Sequence, residues 1–392
     1  MISYGKDDKI HFEVDRCCQC GACLAGCASG ALSRDWIEDG RFRIIWDEAS
    51  CISCGLCVRI CPVPLLSANP WKEMSWTSIA SSWLSHSTDP DRRRNSSSGG
   101  VIRTLIESAL NTGIVDEAYC LVDDTFFPWV KGGYVSRGFR VEDFANSTYR
   151  PVPVLENLEF SRPREGKLIV VGTNCQLIAL DNFYGGKRDD LIMIGVFCKQ
   201  QKNEGFTRFM RGRMGLDREG EGKVSYRGKG WPGKIEIEDR TIEWADAAAL
   251  PFGKGLWTLP ACRLCPNPMG AGADITVADP WNIVRSGEVG GGLSLVIVHS
   301  ERGRELLTLS SSSLESRPVT IEDVKQSVDW PGLRRKNKNT RIRAGCESGT
   351  LLAHLKMRMD DMGRICLEKI LNLWTPPRLI LKILAKIPIR PW

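Results

Sequence analysis

Histidine is scarce in this 392-residue chain: His11, His86, His299 and His354 stand apart in the sequence, which argues against a histidine-built metal site. No stretch approaches the ~18 apolar residues that a membrane-spanning helix needs. Residues 1–9 have neither an apolar core nor a cleavage signal, so no secretory leader is expected and the sequons at Asn95 and Asn146 carry no weight. Net charge is small as well: 53 Lys and Arg against 47 Asp and Glu leave +6, too modest and scattered for nucleic-acid binding. No P-loop occurs. Residues 228–233 match G-x-G-x-x-G by letter, but Pro232 lies inside the motif and residues 234–238 alternate as a strand does, whereas a dinucleotide fingerprint opens a helix.

Cysteine, by contrast, is abundant, with 16 residues. Two runs organise the N-terminal part. Cys17, Cys20, Cys23 and Cys27 form one C-x2-C-x2-C-x3-C run, and Cys51, Cys54, Cys57 and Cys61 form the other. In this spacing three cysteines on a tight loop reach one 4Fe-4S cube and the fourth crosses to the other cube. Cys17, Cys20, Cys23 and Cys61 are therefore expected to hold one cluster, and Cys51, Cys54, Cys57 and Cys27 the second. Zinc knuckles use paired C-x2-C or Cys/His spacings, and disulfides need an oxidising compartment, so neither fits. A reducing cytoplasm is the expected location. Ala28 stands where proline usually follows the fourth cysteine, and Cys18 beside Cys17 leaves the register open by one residue.

Behind this module, apolar positions at 101, 102, 105, 106, 109 and 110 predict a helix, entered from the loop Ser96-Ser97-Ser98-Gly99-Gly100. Such a loop reads equally as an anion site at a helix start or as a plain serine cap. Residues 71–95 read as irregular. Strands are expected at 42–46, 118–122, 167–171, 191–198, 273–277 and 293–298, alternating with helices, one of them from Leu177. This pattern implies an α/β domain with a mostly parallel sheet covered on both faces. Ligands on such sheets sit at the carboxyl ends of strands, where Cys175 and Cys198 fall. With Cys262 and Cys265, a C-x2-C pair, they make four possible ligands. From spacing alone this set reads as a third 4Fe-4S site, a zinc site or a loose pair.

From about residue 75 to 330 the chain resembles the beta-subunit family of coenzyme F420 hydrogenases and dehydrogenases, including relatives that reduce hydroxymethyl chlorophyll. The marks are Ser96-Ser97-Ser98-Gly99-Gly100-Val101, Gly172-Thr173-Asn174-Cys175-Gln176, Phe197-Cys198, residues 226–233, Cys262-x2-Cys265-Pro266 and residues 273–279. The resemblance implies FAD and a cluster on Cys175, Cys198, Cys262 and Cys265. It also implies a phosphate of FAD at Ser96, Ser97, Ser98, Gly99 and Gly100, with further FAD contacts at Gly172, Thr173, Asn174 and Gln176. Asn174 stands where the family usually has proline, and Thr148 where a lysine is common.

The expected architecture is thus α+β with α/β: a two-cluster ferredoxin module (1–70), two parts of a flavin-binding domain (71–160 and 161–345) and a helical tail (346–392). Cys18, Cys120, Cys346 and Cys366 are left as buried apolar fillers. Arg334, Arg335, Lys336, Lys338, Arg341 and Arg343 read as a solvated face or as a dock for an acidic protein or phosphorylated coenzyme. Residues 351–373 read as a helix. The basic, apolar segment 378–387 reads as packing on its own domain, on a partner or on an anionic membrane surface. The implied function is hydride transfer at FAD from reduced F420 or a nicotinamide, coupled through three 4Fe-4S clusters to ferredoxin or a partner redox subunit. The alternatives are an electron-transfer subunit of a larger complex, or a ferredoxin-dependent reductase of an unknown metabolite, a polysaccharide-related one among the options.

Overall fold

The computed structural model describes residues 2–4, 10–63, 79–140, 143–160, 166–186, 189–265, 269, 272–284, 290–343 and 350–389. Pro266 and Cys346, named above, lie outside them. The N-terminal module has two antiparallel pairs, β1 (Ile2–Tyr4) with β2 (Ile10–Phe12) and β3 (Leu32–Trp36) with β4 (Phe42–Trp46), and two short helices, Ala22–Ala25 and Leu56–Ile60. Each helix follows a glycine in the left-handed region, Gly21 at φ 82° and Gly55 at φ 67°. That conformation is nearly free of steric cost only for glycine, so the glycine of each cysteine loop is what lets the chain turn from cysteine to helix within a few residues.

The large sheet contains β5 (Ser81–Ser87), β6 (Glu117–Asp123), β7 (Val130–Ser136), β8 (Leu168–Thr173) and β9 (Leu191–Val196). A separate three-stranded sheet is formed by β10 (Val224–Ser225), β11 (Lys234–Ile237) and β12 (Arg240–Glu243). β13 (Ile275–Ala278), β14 (Ser294–Val298) and β15 (Leu314–Pro318) complete the large sheet in the order β15-β5-β14-β13-β9-β8-β6-β7. Its centre, β6, β8, β9 and β13, is parallel. Antiparallel strands extend both flanks, β7 on one side and β14, β5 and β15 on the other. The expected parallel sheet is therefore the central part of a mixed one. As expected, residues 234–237 are a strand and not a helix, which removes the glycine-rich motif as a nucleotide fingerprint.

Two expectations need correction. Residues 81–95 are regular: β5 lies inside the sheet, and the helix Pro90–Asn95 follows, capped by Asp89. The serines that disguised β5 are satisfied internally, with Ser82 Oγ donating to the Val319 carbonyl at 2.9 Å and Ser85 Oγ 2.8 Å from Ser316 Oγ. A buried hydroxyl with a partner costs little, so a strand can be polar and internal at once. Secondly, Cys366 is exposed rather than a buried filler, whereas Cys120 is buried.

Helices Val101–Thr112 and Glu301–Leu309 cover one face of the sheet, and the helix Asn174–Tyr184 with segment 152–160 covers the other. Cys20, Ala22 and Ile60 join the second core, so the N-terminal module is seated on the sheet domain. His299, just beyond β14, is largely buried, with its Nε2 2.9 Å from Thr276 Oγ1. Burial pushes its pKa from 6.5 down to about 4. Below pH 6.5 the unfolded chain binds a proton that the folded chain refuses, so stability falls as pH drops through that window. By pH 5.5 the loss is about 1 kcal/mol. The thermal midpoint of His299→Gln is expected to fall less than that of the wild type between pH 7 and 5.5.

Candidate functional site

Three groups of cysteines assemble. Cys17, Cys20, Cys23 and Cys61 line one cavity of about 30 Å³, walled by Phe42 and Ile44. Burial pushes the Cys17 thiol up to about 11, with Cys20 and Cys61 adding to the rise. Burial also pushes Cys23 well up, with Cys20, Cys17 and Cys61 contributing. Thiols that raise one another's pKa this way are close neighbours. The loop is pinned by Gln19, whose side chain donates to the Phe42 carbonyl at 3.0 Å and accepts from the Phe42 amide at 2.7 Å. It is pinned to the sheet domain as well: the Leu155 amide donates to the Cys20 carbonyl at 2.8 Å, and Arg34 pairs with Glu156 at 2.7 Å. A Cβ on Gly21 would stand 2.9 Å from the Glu156 amide, so the docking itself requires glycine there.

In the second group burial raises Cys57 to about 11, with Cys27, Cys54 and Cys51 adding. This group is the outer one, since Cys54 is exposed and its neighbour Ile52 is 68% exposed.

The third group stands at strand ends. Cys175 sits in the first turn of the helix that follows β8, and Cys198 lies two residues past β9. Cys262 and Cys265 lie on and just beyond the short helix Pro260–Leu264. Burial pushes Cys198 well up, with Cys262, Cys175 and Cys265 adding, and raises Cys262 to about 12. The Gln201 amide donates to Cys262 Sγ at 3.3 Å. Among the described residues no set of three or more His, Cys, Asp or Glu side chains closes on a single metal ion.

Cys18 lines the first group's cavity as well, beside Cys17. Its thiol is hydrogen-bonded to Cys175 and also contacts Cys20. That contact raises the Cys18 pKa well above its ordinary value and draws Cys175 down to about 7. Beside it, Val63 and Ile178 form a small apolar patch touched by Cys18, Cys61, Cys175 and Cys265. The first and third groups are thus neighbours across one layer of side chains.

Two lysines missed in the sequence border the third group. Lys202 is fully buried, and its Nζ donates to Gln200 Oε1 at 2.7 Å, Leu256 O at 2.8 Å, Pro251 O at 3.1 Å and Thr258 Oγ1 at 3.1 Å. Burial pushes its pKa well down, while Cys262 is among the groups pulling it back up. Lys336, read above as part of a solvated basic face, is buried and donates to the Lys199 carbonyl at 2.7 Å. Its charge lowers the pKa of both Cys198 and Cys262. The signal for Lys202 was its place four residues after Cys198; for Lys336 there was none within the helix Trp330–Arg343, where Arg334, Arg335, Lys338 and Arg341 are all exposed.

The glycine-serine loop is more occupied than a bare anion site would be. The Gly99 amide donates to Ser294 Oγ at 2.9 Å, the Ser96 amide to the Arg92 carbonyl at 3.1 Å, and Ser98 Oγ to the Leu293 carbonyl. A Cβ on Gly99 would meet the Ser85 carbonyl at 2.7 Å and the Ser294 amide at 2.9 Å. Gly99→Val is therefore expected to destabilise the fold by about 1–3 kcal/mol through overpacking, which denaturant unfolding will read. Ser97 faces the other way: its Oγ accepts from the Ser147 amide at 2.8 Å and lies 3.3 Å from Asn146 Oδ1. Arg103 donates to Phe144 O at 2.9 Å and Asn146 Oδ1 at 3.2 Å. Next to them opens a cleft of about 430 Å³ with Asn95, Arg103, Asn146, Thr148 and Tyr226 in its walls, together with Asp89, Asp91 and Asp123. This volume lies in the range of small-ligand sites.

Thr173 and Gln176 form a reciprocal cap, with Gln176 Oε1 accepting from the Thr173 amide at 2.7 Å, so their polar groups serve the helix start. Asn174 is the first residue of that helix. Proline is favoured there because the first amide has no intrahelical partner, so Asn174 departs from the family at a position that tolerates both.

Three matches with protein families span most of the chain. Residues 83–159 match the N-terminal and 165–322 the C-terminal model of the coenzyme F420 hydrogenase/dehydrogenase beta subunit, and 16–64 match a 4Fe-4S dicluster domain. A ferredoxin of Pyrobaculum islandicum is 37% identical over 67 residues, 17% of this chain and 59% of its own. A probable oxidoreductase of Bacillus subtilis is 38% identical over 72 residues, 15% of this chain and 7% of its own. An uncharacterized protein of Methanocaldococcus jannaschii is 24% identical over 235 residues, 50% of this chain and 63% of its own. The chain thus spans less than two thirds of each. A chain of the F420-reducing NiFe hydrogenase complex of Methanosarcina barkeri aligns with a TM-score of 0.48 at 19% identity, covering 68% of this chain and 90% of that one.

Proposed function

Because the chain belongs to the coenzyme F420 hydrogenase/dehydrogenase beta-subunit family and carries a 4Fe-4S dicluster domain in front of it, we propose that it couples a hydride donor to a one-electron carrier. The donor is reduced F420 or a nicotinamide, and the carrier is ferredoxin or a partner redox subunit. FAD, if bound, would accept two electrons as one hydride and release them singly, and 4Fe-4S clusters would carry one electron each. The observation that carries the reading is the division of twelve cysteines into three adjoining sets of four.

The residues have separable roles in this reading. Cys175, Cys198, Cys262 and Cys265 hold the inner cluster, with Lys336 offsetting its negative charge. Cys17, Cys20, Cys23 and Cys61 hold the middle cluster, and Cys27, Cys51, Cys54 and Cys57 the outer one, beside exposed Ile52. The cleft beside Arg103 and Asn146 has the size of a small-ligand site and is where this reading puts part of the flavin nucleotide. Asp89, Asp91 and Asp123 would repel a phosphate on their side of it, which leaves the side near Ser97 for the anion.

Anaerobic stopped-flow mixing tests the proposal. Reduced F420, or failing that a reduced nicotinamide, is expected to bleach the flavin band near roughly 450 nm, an absorbance belonging to the cofactor's own chemistry, with cluster reduction following in time. If neither donor bleaches it while reduced ferredoxin reduces the protein, the direction is reversed and the chain is a ferredoxin-dependent reductase. If only a copurifying protein reduces it, the chain is an electron-transfer subunit.

A further inference from the structure

The C-terminal helix Leu351–Leu373 has two apolar faces. One is buried: Met357, Leu367 and Leu371 face the body, and the last two join a core with Phe209 and Trp257. The helix is fixed there, with Trp257 Nε1 donating to Asn372 Oδ1 at 3.1 Å and the Trp257 amide to Glu368 Oε1 at 2.6 Å. The opposite face is open. Leu352, Leu355, Met359, Met362, exposed Cys366, Ile370 and Leu373 recur at three- and four-residue steps, and the six besides Cys366 are between 48% and 89% exposed. After the turn at Pro376 and Pro377, the helix Arg378–Leu384 buries Leu381 and exposes Leu379 at 71% and Ile383 at 58%. Trp374, 49% exposed, stands at the corner. A contiguous open apolar surface of this kind marks an interaction site on a soluble fold.

Charge identifies the occupant. Among the described residues of 350–389, every exposed charged side chain is basic: Lys356, Arg358, Lys369, Arg378, Lys382 and Lys386. The three acids, Asp360, Asp361 and Glu368, are partly buried. Asp361 pairs with buried Arg364, and Glu368 caps the Trp257 amide. Asp246 holds Arg378 at 2.6 Å. A second copy of the same face would set these cations against one another, without the acidic flanks that helix pairs use to choose partners. An anionic lipid surface offers apolar depth and negative charge together, and aromatic residues such as Trp374 favour its boundary. No described helix is long and apolar enough to cross a membrane, so the contact is a peripheral one.

We propose that the hairpin formed by Leu351–Leu373 and Arg378–Leu384 seats the protein on an anionic membrane surface through its open apolar face and basic rim. The inference is independent of the redox reading above. The test uses the full chain, purified anaerobically, in flotation with vesicles of phosphatidylcholine alone or with about a third phosphatidylglycerol. Partitioning is expected to be on the order of tenfold stronger on the anionic vesicles, given the attraction of each basic residue near such a surface. Lys382→Glu with Lys386→Glu is expected to bring it to the neutral-lipid level, and Met359→Ser with Met362→Ser to weaken it several-fold. Both variants should keep wild-type iron content, because these side chains face solvent. Equal partitioning on the two vesicle types, or none on either, overturns the proposal. So does a dimer in solution that Met359→Ser with Met362→Ser splits, since the face would then belong between copies.

Discussion

Replacing Arg227 by methionine is expected to cost about 3–5 kcal/mol of stability, the usual result of stripping one partner from a buried ion pair. Arg227 is 3% exposed. Its guanidinium donates to both oxygens of Asp279, at 2.9 and 3.1 Å, to the Ser97 carbonyl at 2.7 Å and to the Tyr149 hydroxyl at 3.3 Å. Burial opposes the charge, but Asp279 more than compensates, and the guanidinium pKa moves upward. Trp231 Nε1 also donates to Asp279 at 3.1 Å. Arg227 thereby joins the loop after β10, the loop after β13 and the Ser96–Gly100 turn at one point. Methionine fills the volume but leaves Asp279 buried without its counter-charge. Denaturant unfolding reads the loss, and a double variant with Asp279→Asn should be less than additive, because both changes remove the same pair. A loss below about 1 kcal/mol would show the pair to be dispensable.

The second large effect is on iron. The Cys262→Ser, Cys265→Ser variant is expected to lose about four of about twelve irons per chain, by four-per-cube counting. The loss should stay local. The middle and outer sets belong to a module with its own hairpins, helices and loop pins, and neither Cys262 nor Cys265 is a ligand there. A variant that loses FAD with unchanged iron contradicts the third-cluster assignment. Loss of all iron would mean instead that the module cannot stand without the inner site.

Sequence reading carried far where local chemistry was decisive. The two cysteine runs dictated their own loops, because the spacing, the glycines and the helices after them form one short unit. The helix 101–112 and the central strands were legible from unbroken apolar runs. β5 was not, since buried serines with distant partners look like loop residues until β14 and β15 lie beside them. Lys336 was hidden among exposed cations, and only the packing of its helix on Lys199 buries it. The Ser96–Gly100 loop read equally as an anion site or a serine cap, and only the packing shows that a side chain at Gly99 would collide with β5 and β14. Cys18 looked like a spare thiol. Its contact with Cys175 spans about 157 residues of sequence and arises only because the N-terminal module docks on the sheet domain.

In the proposed function three clusters stand in series, and the cysteine sets of the inner and middle ones adjoin across Cys18, Val63 and Ile178. Spin quantitation of the fully reduced chain by electron paramagnetic resonance tests this most directly. About three spins per chain are predicted, one per cube, with lines broadened by mutual interaction that sharpen when Cys262 and Cys265 are replaced by serine. Two spins, with a spectrum the double substitution leaves unchanged, would contradict it.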